Sequence, residues 1–156
     1  MEPTPDELAG VADLFSGVTR EELHRAVENV AARQGTAFDP ADLDDRIAAA
    51  RRGYYLVGVD QEGTELFAPG PAALPALPEH GEDLPHMMDV PDRDLDPADL
   101  AGAVEDRLEA DAEAAIEDGD VDRLRTLLDV CYDARAWGPV EVDALQEHLA
   151  GAVEEL

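Results

Sequence analysis

Apolar residues in the first third of the chain recur at the i, i+3, i+4 and i+7 spacing of amphipathic helices. Thr4 and Thr19 each begin a capping box, with a glutamate three residues later. A third helix is predicted to begin after Asp39, where a proline takes the first helical position. Gly35 and Gly53 are placed to end the second and third helices. The pattern therefore predicts three helices, followed by a change of structure.

After the third helix the apolar period changes from 3.6 to 2. Residues 54–59 and 64–68 are rich in strand-forming side chains, and the Asp-Gln-Glu-Gly sequence of residues 60–63 suits a type I turn. We therefore predict an antiparallel β-hairpin. The face expected to pack on the helices carries Tyr55, Val57 and Val59.

Residues 69–95 contain six prolines and show no apolar periodicity. They are not purely polar, because six apolar side chains need burial: Leu74, Leu77, Leu84, Met87, Met88 and Val90. We predict an ordered segment that covers the surface of the fold. Within it, Pro75-Ala76-Leu77-Pro78 has the PxxP spacing of a polyproline ligand, although packing over the core is the preferred interpretation.

The C-terminal part returns to helical spacing. Asp96 begins a long helix, Gly119-Asp120 separates it from the next, and Gly138-Pro139 is expected to begin the last. Three amphipathic helices with short connections predict an antiparallel bundle. The predicted fold class is mostly α-helical with one β-hairpin. It consists of helices and hairpin in residues 1–68, the proline-rich connector in 69–95 and the bundle in 96–156.

The charge of the chain adds a prediction about its environment. The 156 residues include 38 acidic side chains and 11 arginines but no lysine, which gives a formal net charge of −27. Such a chain repels itself at low ionic strength, whereas at about 1 M salt the Debye length falls to about 3 Å. We therefore expect adaptation to high salt. Intrinsic disorder, the rival interpretation of an acidic chain with few aromatics, is disfavoured by the regular apolar periodicity.

Neither a membrane segment nor a catalytic motif is evident. No apolar run approaches the ~18 residues of a membrane span and no signal peptide opens the chain, so we expect a cytoplasmic protein. The single serine, Ser16, lacks a nucleophile-elbow context, and Cys131 lies on an apolar helix face. His80 and His86 could be imagined as metal ligands, but their spacing has no strong precedent. We assign no catalytic, metal or cofactor residue and expect no enzyme.

The hairpin that follows three helices resembles a winged helix-turn-helix. Residues 54–57 and 64–67 would form the wing, and the helix after Asp39 would be the recognition helix. Such proteins have a short strand between the first two helices, for which Ser16-Gly17 leaves no room. The resemblance implies a DNA-binding alternative whose contacts would come from Arg46, Arg51, Arg52 and Tyr54. Acidic residues on the same helix, and the loss of phosphate contacts in salt, disfavour it.

The whole chain, above all its stretches DLPHMMDVPDR and LLDVCYDARAWGPV, is similar to an uncharacterised family of small acidic haloarchaeal proteins. That family supplies an environment and a fold but no activity. We therefore predict a non-enzymatic interaction or regulatory module whose partner is another protein. A divergent winged-helix transcription regulator is the alternative, and the oligomeric state is left open.

Overall fold

Seven helices and one two-stranded antiparallel hairpin make up the part of the chain that the computed structural model describes, residues 2–155. The predicted class, mostly α-helical with one hairpin, is confirmed. The chain divides into two compact units, Met1–Leu95 and Asp96–Leu156, here called unit 1 and unit 2. No helix among the described residues combines the length and the apolar content that crossing a bilayer requires.

Unit 1 begins with three helices: α1 (Pro5–Leu14), α2 (Arg20–Gln34) and α3 (Pro40–Arg52). Thr4 and Thr19 close complete capping boxes, in which the threonine hydroxyl accepts from the glutamate N–H and the glutamate carboxylate accepts from the threonine N–H. The side chain of Asp39 caps α3 by accepting from the N–H of Ala41 at 3.1 Å. The predicted starts of all three helices are confirmed.

The hairpin pairs β1 (Leu56–Gln61) with β2 (Thr64–Pro69). Its turn differs from the type I turn predicted, because Gln61 pairs with Thr64 and leaves a two-residue loop. Glu62 and Gly63 in that loop both have positive φ, 53° and 84°. This is the pattern of a type I′ turn, whose twist matches that of the two strands it joins.

The face predicted to pack on the helices is confirmed only at Tyr55, which packs against their core. Leu56 and Phe67, both fully buried, join the core formed by α1, α2 and α3. Val57 is also buried, but it lies outside that core cluster, and Val59 is only half-buried. Both alternating sets of β1 side chains are apolar at its start, so alternation alone did not distinguish the two faces.

A single β-bridge connects the α1–α2 junction to the hairpin. Val18 and Phe67 exchange both backbone hydrogen bonds, with N–O distances of 3.1 and 2.7 Å. The sequence led us to expect no room for a strand after Ser16-Gly17. The turn forms with Ser16 at a φ of 56° and Gly17 at 112°, so the chain reverses in two residues and frees Val18 for pairing.

The proline-rich segment contains a 3₁₀ turn at Gly81–Asp83 and a one-turn helix, α4 (Leu84–Met87). Leu84 is fully buried in the core of unit 1, and Met88 packs against that core. Residues 74–77, by contrast, are exposed, which corrects the expectation that the PxxP stretch packs over the core. The segment therefore belongs to unit 1, to whose core Leu84 anchors it, and residues 74–77 form its longest exposed stretch.

Unit 2 consists of α5 (Pro97–Asp118), α6 (Val121–Trp137) and α7 (Asp143–Glu155). The last helix begins later than the predicted Gly138-Pro139. Residues 138–142 are held instead by other bonds: the N–H of Val140 donates to the carbonyl of Gly138, and the N–H of Glu141 donates to the Glu105 carboxylate at 2.7 Å. Val142 is buried although it precedes the helix.

Truncation of Phe38 should destabilise unit 1 by about 1.5 kcal/mol. Phe38 and Leu43 occupy the hydrophobic-staple positions of α3, and Phe38 packs against the core while being only half-buried. A fully buried ring would lose about 3 kcal/mol or more, so half that value is expected for Phe38→Ala. Chemical denaturation in 2 M KCl measures it, with the buried Leu43→Ala as a comparison that should lose about 3 kcal/mol. A Phe38→Ala loss below about 0.5 kcal/mol would contradict a staple.

Candidate functional site

Two of the three arginines in the predicted DNA-contact set, Arg46 and Arg51, are paired with carboxylates of unit 1. The Arg46 Nε donates to Asp42 at 2.8 Å, and its guanidinium also lies 3.5 Å from Glu2. The hydrogen bond with Asp42 is the main reason why the pKa of Arg46 is raised. Arg46 therefore has two carboxylates beside its guanidinium, one from its own helix and one from the residues before α1.

Arg51 fastens the end of α3 to the hairpin. Its guanidinium lies 3.3 Å from the Glu65 carboxylate and 5.3 Å from the centre of the Phe67 ring. Arg20 lies over the same ring at 5.4 Å and pairs with Asp44 of α3 at 3.0 Å. Two cations on one aromatic ring, each with its own carboxylate, connect α2, α3 and β2.

The two remaining members of the set, Arg52 and Tyr54, differ in their exposure. Arg52 is exposed at the end of α3. Tyr54 is only 1% exposed and has a φ of 65°, so its ring lies inside the fold. Its carbonyl accepts from the N–H of Ala72 at 3.0 Å and so helps to fix the start of the proline-rich segment. A ring in this position offers no stacking surface to a ligand outside unit 1.

The pair of Glu22 and Arg93 is more buried than the other ion pairs described above, and no local sequence pattern points to it. Arg93 binds both carboxylate oxygens of Glu22, at 2.6 and 3.0 Å, and donates to the carbonyl of Gly17 at 3.2 Å. The side chains are 14% and 7% exposed. The same carboxylate accepts the N–H of Thr19 in the capping box, so one glutamate connects α2 to the far end of the proline-rich segment.

A cavity of about 300 Å³ adjoins this ion pair. Phe15, Ser16, Met88, Asp89 and Arg93 belong to its lining. The guanidinium is engaged by Glu22, and the Ser16 hydroxyl has no histidine among the described lining residues to act as a base. The described lining therefore brings a serine hydroxyl and two aspartates, Asp89 and Asp92, to one cavity, without the histidine of a serine-hydrolase triad.

Acid should remove stability through Glu22. Burial opposes its ionisation, but the hydrogen bonds from Arg93 and Thr19 prevail and lower the pKa of Glu22 from its ordinary value of 4.5. A carboxyl whose folded pKa is lowered contributes stability that is present above pH 4.5 and is lost as the pH falls through the folded pKa. Denaturation at several pH values in 2 M KCl should show a shallower acid limb for Glu22→Gln. An identical acid limb would contradict this role.

Two of the four histidines, His24 and His80, lie beside a carboxylate. The Nε2 of His80 lies 3.9 Å from Glu79, and His24 Nε2 lies 2.7 Å from Asp44. The bond with His24 is the main reason why the pKa of Asp44 is lowered. Within residues 2–155, no three His, Cys, Asp or Glu side chains form a group that could hold a metal ion.

Cys131 of unit 2 should not react with N-ethylmaleimide while the protein is folded. It is fully buried, and burial raises the pKa of its thiol to about 11. The nucleophilic thiolate is therefore scarce at neutral pH and shielded from solvent. Mass spectrometry after labelling should find modification only in denaturant. Rapid stoichiometric labelling in 2 M KCl at pH 7 would show that the thiol is accessible.

The comparisons with known proteins give a family without an assigned activity. No curated protein and no solved structure matches the chain. The model of a family of unknown function, DUF7109, matches residues 6–154. This fits the resemblance to an uncharacterised family that the sequence suggested. Because the match covers nearly the whole length of both units, the chain belongs to the family of unknown function DUF7109.

Proposed function

We propose that the protein is a non-enzymatic interaction module of the cytoplasm, adapted to molar salt, and that its partner is another protein. The observation that carries the proposal is that most arginines are paired with carboxylates. At least eight of the 11 lie within 4.0 Å of a carboxylate. Arg46 and Arg51 are among them. Most arginines are thus paired with carboxylates of this chain. Proteins that bind phosphates use Lys and Arg side chains to neutralise the phosphates instead.

The distribution of charge supports adaptation to high salt. Residues 1–95 contain 20 acidic side chains and seven arginines, and residues 96–156 contain 18 and four. Both units are thus strongly anionic on their own. Each would be repelled by nucleic acid at low ionic strength, and at molar salt the remaining ionic attractions are screened within about 3 Å.

The chemistry of the described side chains favours binding over catalysis. Cys131 is buried and its pKa is raised, and the Ser16 cavity offers no histidine within its described lining. Enzymatic sites bring a nucleophile, a base and an orienting group together in a concave surface. A protein whose polar groups are occupied in capping boxes and ion pairs is better suited to a binding role.

Co-purification tests the proposal. The tagged full-length chain should be recovered from lysate of the organism that encodes it in 2 M KCl, with and without nuclease. We expect a stoichiometric protein partner that survives nuclease treatment. Retention that depends on nucleic acid, or no partner under either condition, would contradict the proposal.

A winged-helix DNA-binding regulator is the second candidate, and the Val18–Phe67 bridge favours it. It provides backbone pairing between the α1–α2 junction and the hairpin, where a winged helix has its short strand. Fluorescence anisotropy with labelled duplex DNA at 0.2 and 2 M KCl separates the candidates. Six phosphate contacts would give a salt slope of about −5, hence a loss of about five decades in affinity over this range. We expect no saturable binding at either concentration.

A further inference from the structure

The surface of unit 1 carries four successive exposed apolar residues, Leu74, Pro75, Ala76 and Leu77, here called the apolar strip. Leu74 is 79% exposed and Leu77 is 40% exposed. Buried prolines, Pro71 and Pro78, bound the strip on either side. A continuous exposed apolar run of this length is unfavourable in a soluble fold unless it serves binding. In so acidic a chain, the apolar strip is the surface feature that most favours binding to a partner.

The apolar strip is anchored to α1 by its backbone. The N–H of Leu74 donates to the Asp6 carboxylate at 2.9 Å, and the N–H of Ala76 donates to the Asp6 carbonyl at 3.1 Å. The Ala76 carbonyl lies so close to Gly10 that any side chain there would collide with it. The strip is therefore held with its side chains outward, and ordering it on binding has little entropic cost.

We propose that the apolar strip is a ligand for an apolar, aromatic-lined groove on a partner protein. The inference rests on the proposed function, since it names the surface through which that interaction takes place. Segments that contain proline are recognised by grooves whose aromatic side chains pack on the proline and its apolar neighbours. Pro75 lies between the two exposed leucines and supplies that recognition element.

A groove fits the apolar strip better than a second copy of this chain does. Stable protein interfaces bury about 800 Å² on each partner, with about 20–30 residues a side. Four residues that meet the same four residues across a two-fold axis fall well short of that area. A groove surrounds the strip on several sides, and its walls extend the contact to the flanking surface.

High salt favours this mode of binding. Molar KCl screens the repulsion between a partner and a chain with a net charge of −27, and it does not weaken apolar contacts as it weakens ion pairs. An apolar strip is thus a form of recognition that remains effective where charge-based recognition is lost. The affinity should therefore hold or rise as KCl increases.

Photocrosslinking followed by titration tests the inference. The probe is p-benzoylphenylalanine at position 76 of the full-length chain, crosslinked in the organism that encodes it and compared with the same probe at position 132. Tyr132 is a matched control because it is 61% exposed and lies in unit 2. The protein captured from position 76 is then purified and titrated with wild type, with the double variant Leu74→Ser and Leu77→Ser, and with Tyr132→Ser.

We expect one protein to be captured from position 76 but not from position 132. The double variant should bind the purified partner about 100-fold more weakly in 2 M KCl, since two leucines lose their apolar contacts. Tyr132→Ser should bind like wild type, and all variants should keep the wild-type melting midpoint. Undiminished binding by the double variant would overturn the proposal that the apolar strip is the ligand, and it would leave the proposed function standing. Capture of a second copy would also overturn it, and capture of no protein at any salt would overturn both.

Discussion

Raising KCl from 0.1 to 2 M should raise the thermal midpoint by about 10 °C or more. Two like charges 10 Å apart repel by about 0.4 kcal/mol in water, and a net charge of −27 creates many such pairs. The Debye length falls from about 10 Å at 0.1 M to below 3 Å, which relieves a few kcal/mol of repulsion in each unit. For domains of this size, 1 kcal/mol moves the midpoint by about 4–8 °C. Circular dichroism at 222 nm measures the shift.

A control separates charge screening from the general effect of a concentrated solute. Melting in 0.1 M KCl with 1 M sorbitol tests the latter, because sorbitol favours burial without screening charge. We expect sorbitol to give only a small part of the shift. An unchanged midpoint in 2 M KCl would contradict adaptation to high salt, and an equal shift in sorbitol would remove charge repulsion as its cause.

Replacing Arg93 with alanine should destabilise unit 1 by about 3–5 kcal/mol. The substitution leaves the Glu22 carboxylate buried without its bidentate partner, and it removes the donor to the Gly17 carbonyl. Leu95, which packs against Gly17, loses its neighbouring anchor. Chemical denaturation in 2 M KCl should therefore show a large loss, together with faster proteolysis of residues 89–95.

Arg33→Ala is the matched control for Arg93→Ala. Arg33 also connects α2 to the proline-rich segment, through Asp83 at 3.4 Å, but these two side chains are 45% and 44% exposed. Exposed pairs contribute about 0–1 kcal/mol, so this variant should stay within that range. Equal losses for the two variants would mean that burial of the Glu22–Arg93 pair does not increase its contribution to the free energy of unfolding.

Local sequence rules predicted the helices of unit 1 well. Thr4, Thr19 and Asp39 cap their helices as expected, because capping depends on side chains within three residues of the helix start. The start of α5 after Asp96 follows the same rule. These elements are determined by chain neighbours, which a single sequence displays in full.

The errors fall where longer-range contacts decide the structure. The start of α7 depends on Glu105, whose carboxylate accepts a hydrogen bond from the N–H of Glu141. These two residues are 36 positions apart in the sequence. The core face of the hairpin depends on packing against three helices, since both of its faces are apolar at the start of β1. The Glu22–Arg93 pair joins residues 71 apart. Its only trace in the sequence is an arginine within an otherwise acidic part of the proline-rich segment.

The exposure of the candidate binding residues was the feature that the sequence predicted least well. Tyr54 looked available beside Arg51 and Arg52, but a backbone with positive φ places it inside the fold. Conversely, the PxxP stretch was expected to be covered, and three of its four residues, Pro75, Ala76 and Leu77, are exposed. Exposure depends on where the whole chain passes, which local periodicity does not encode.

The salt dependence of partner retention tests the central claim most directly. The full-length chain is immobilised, loaded with nuclease-treated lysate of the organism that encodes it, and washed at KCl concentrations from 0.5 to 3 M. The retained protein is quantified by mass spectrometry relative to the chain itself. A protein-interaction module adapted to molar salt should keep a constant or rising stoichiometric amount of one partner over this range. A fall by an order of magnitude or more between 0.5 and 3 M would show that ionic contacts hold the partner, and would contradict the account.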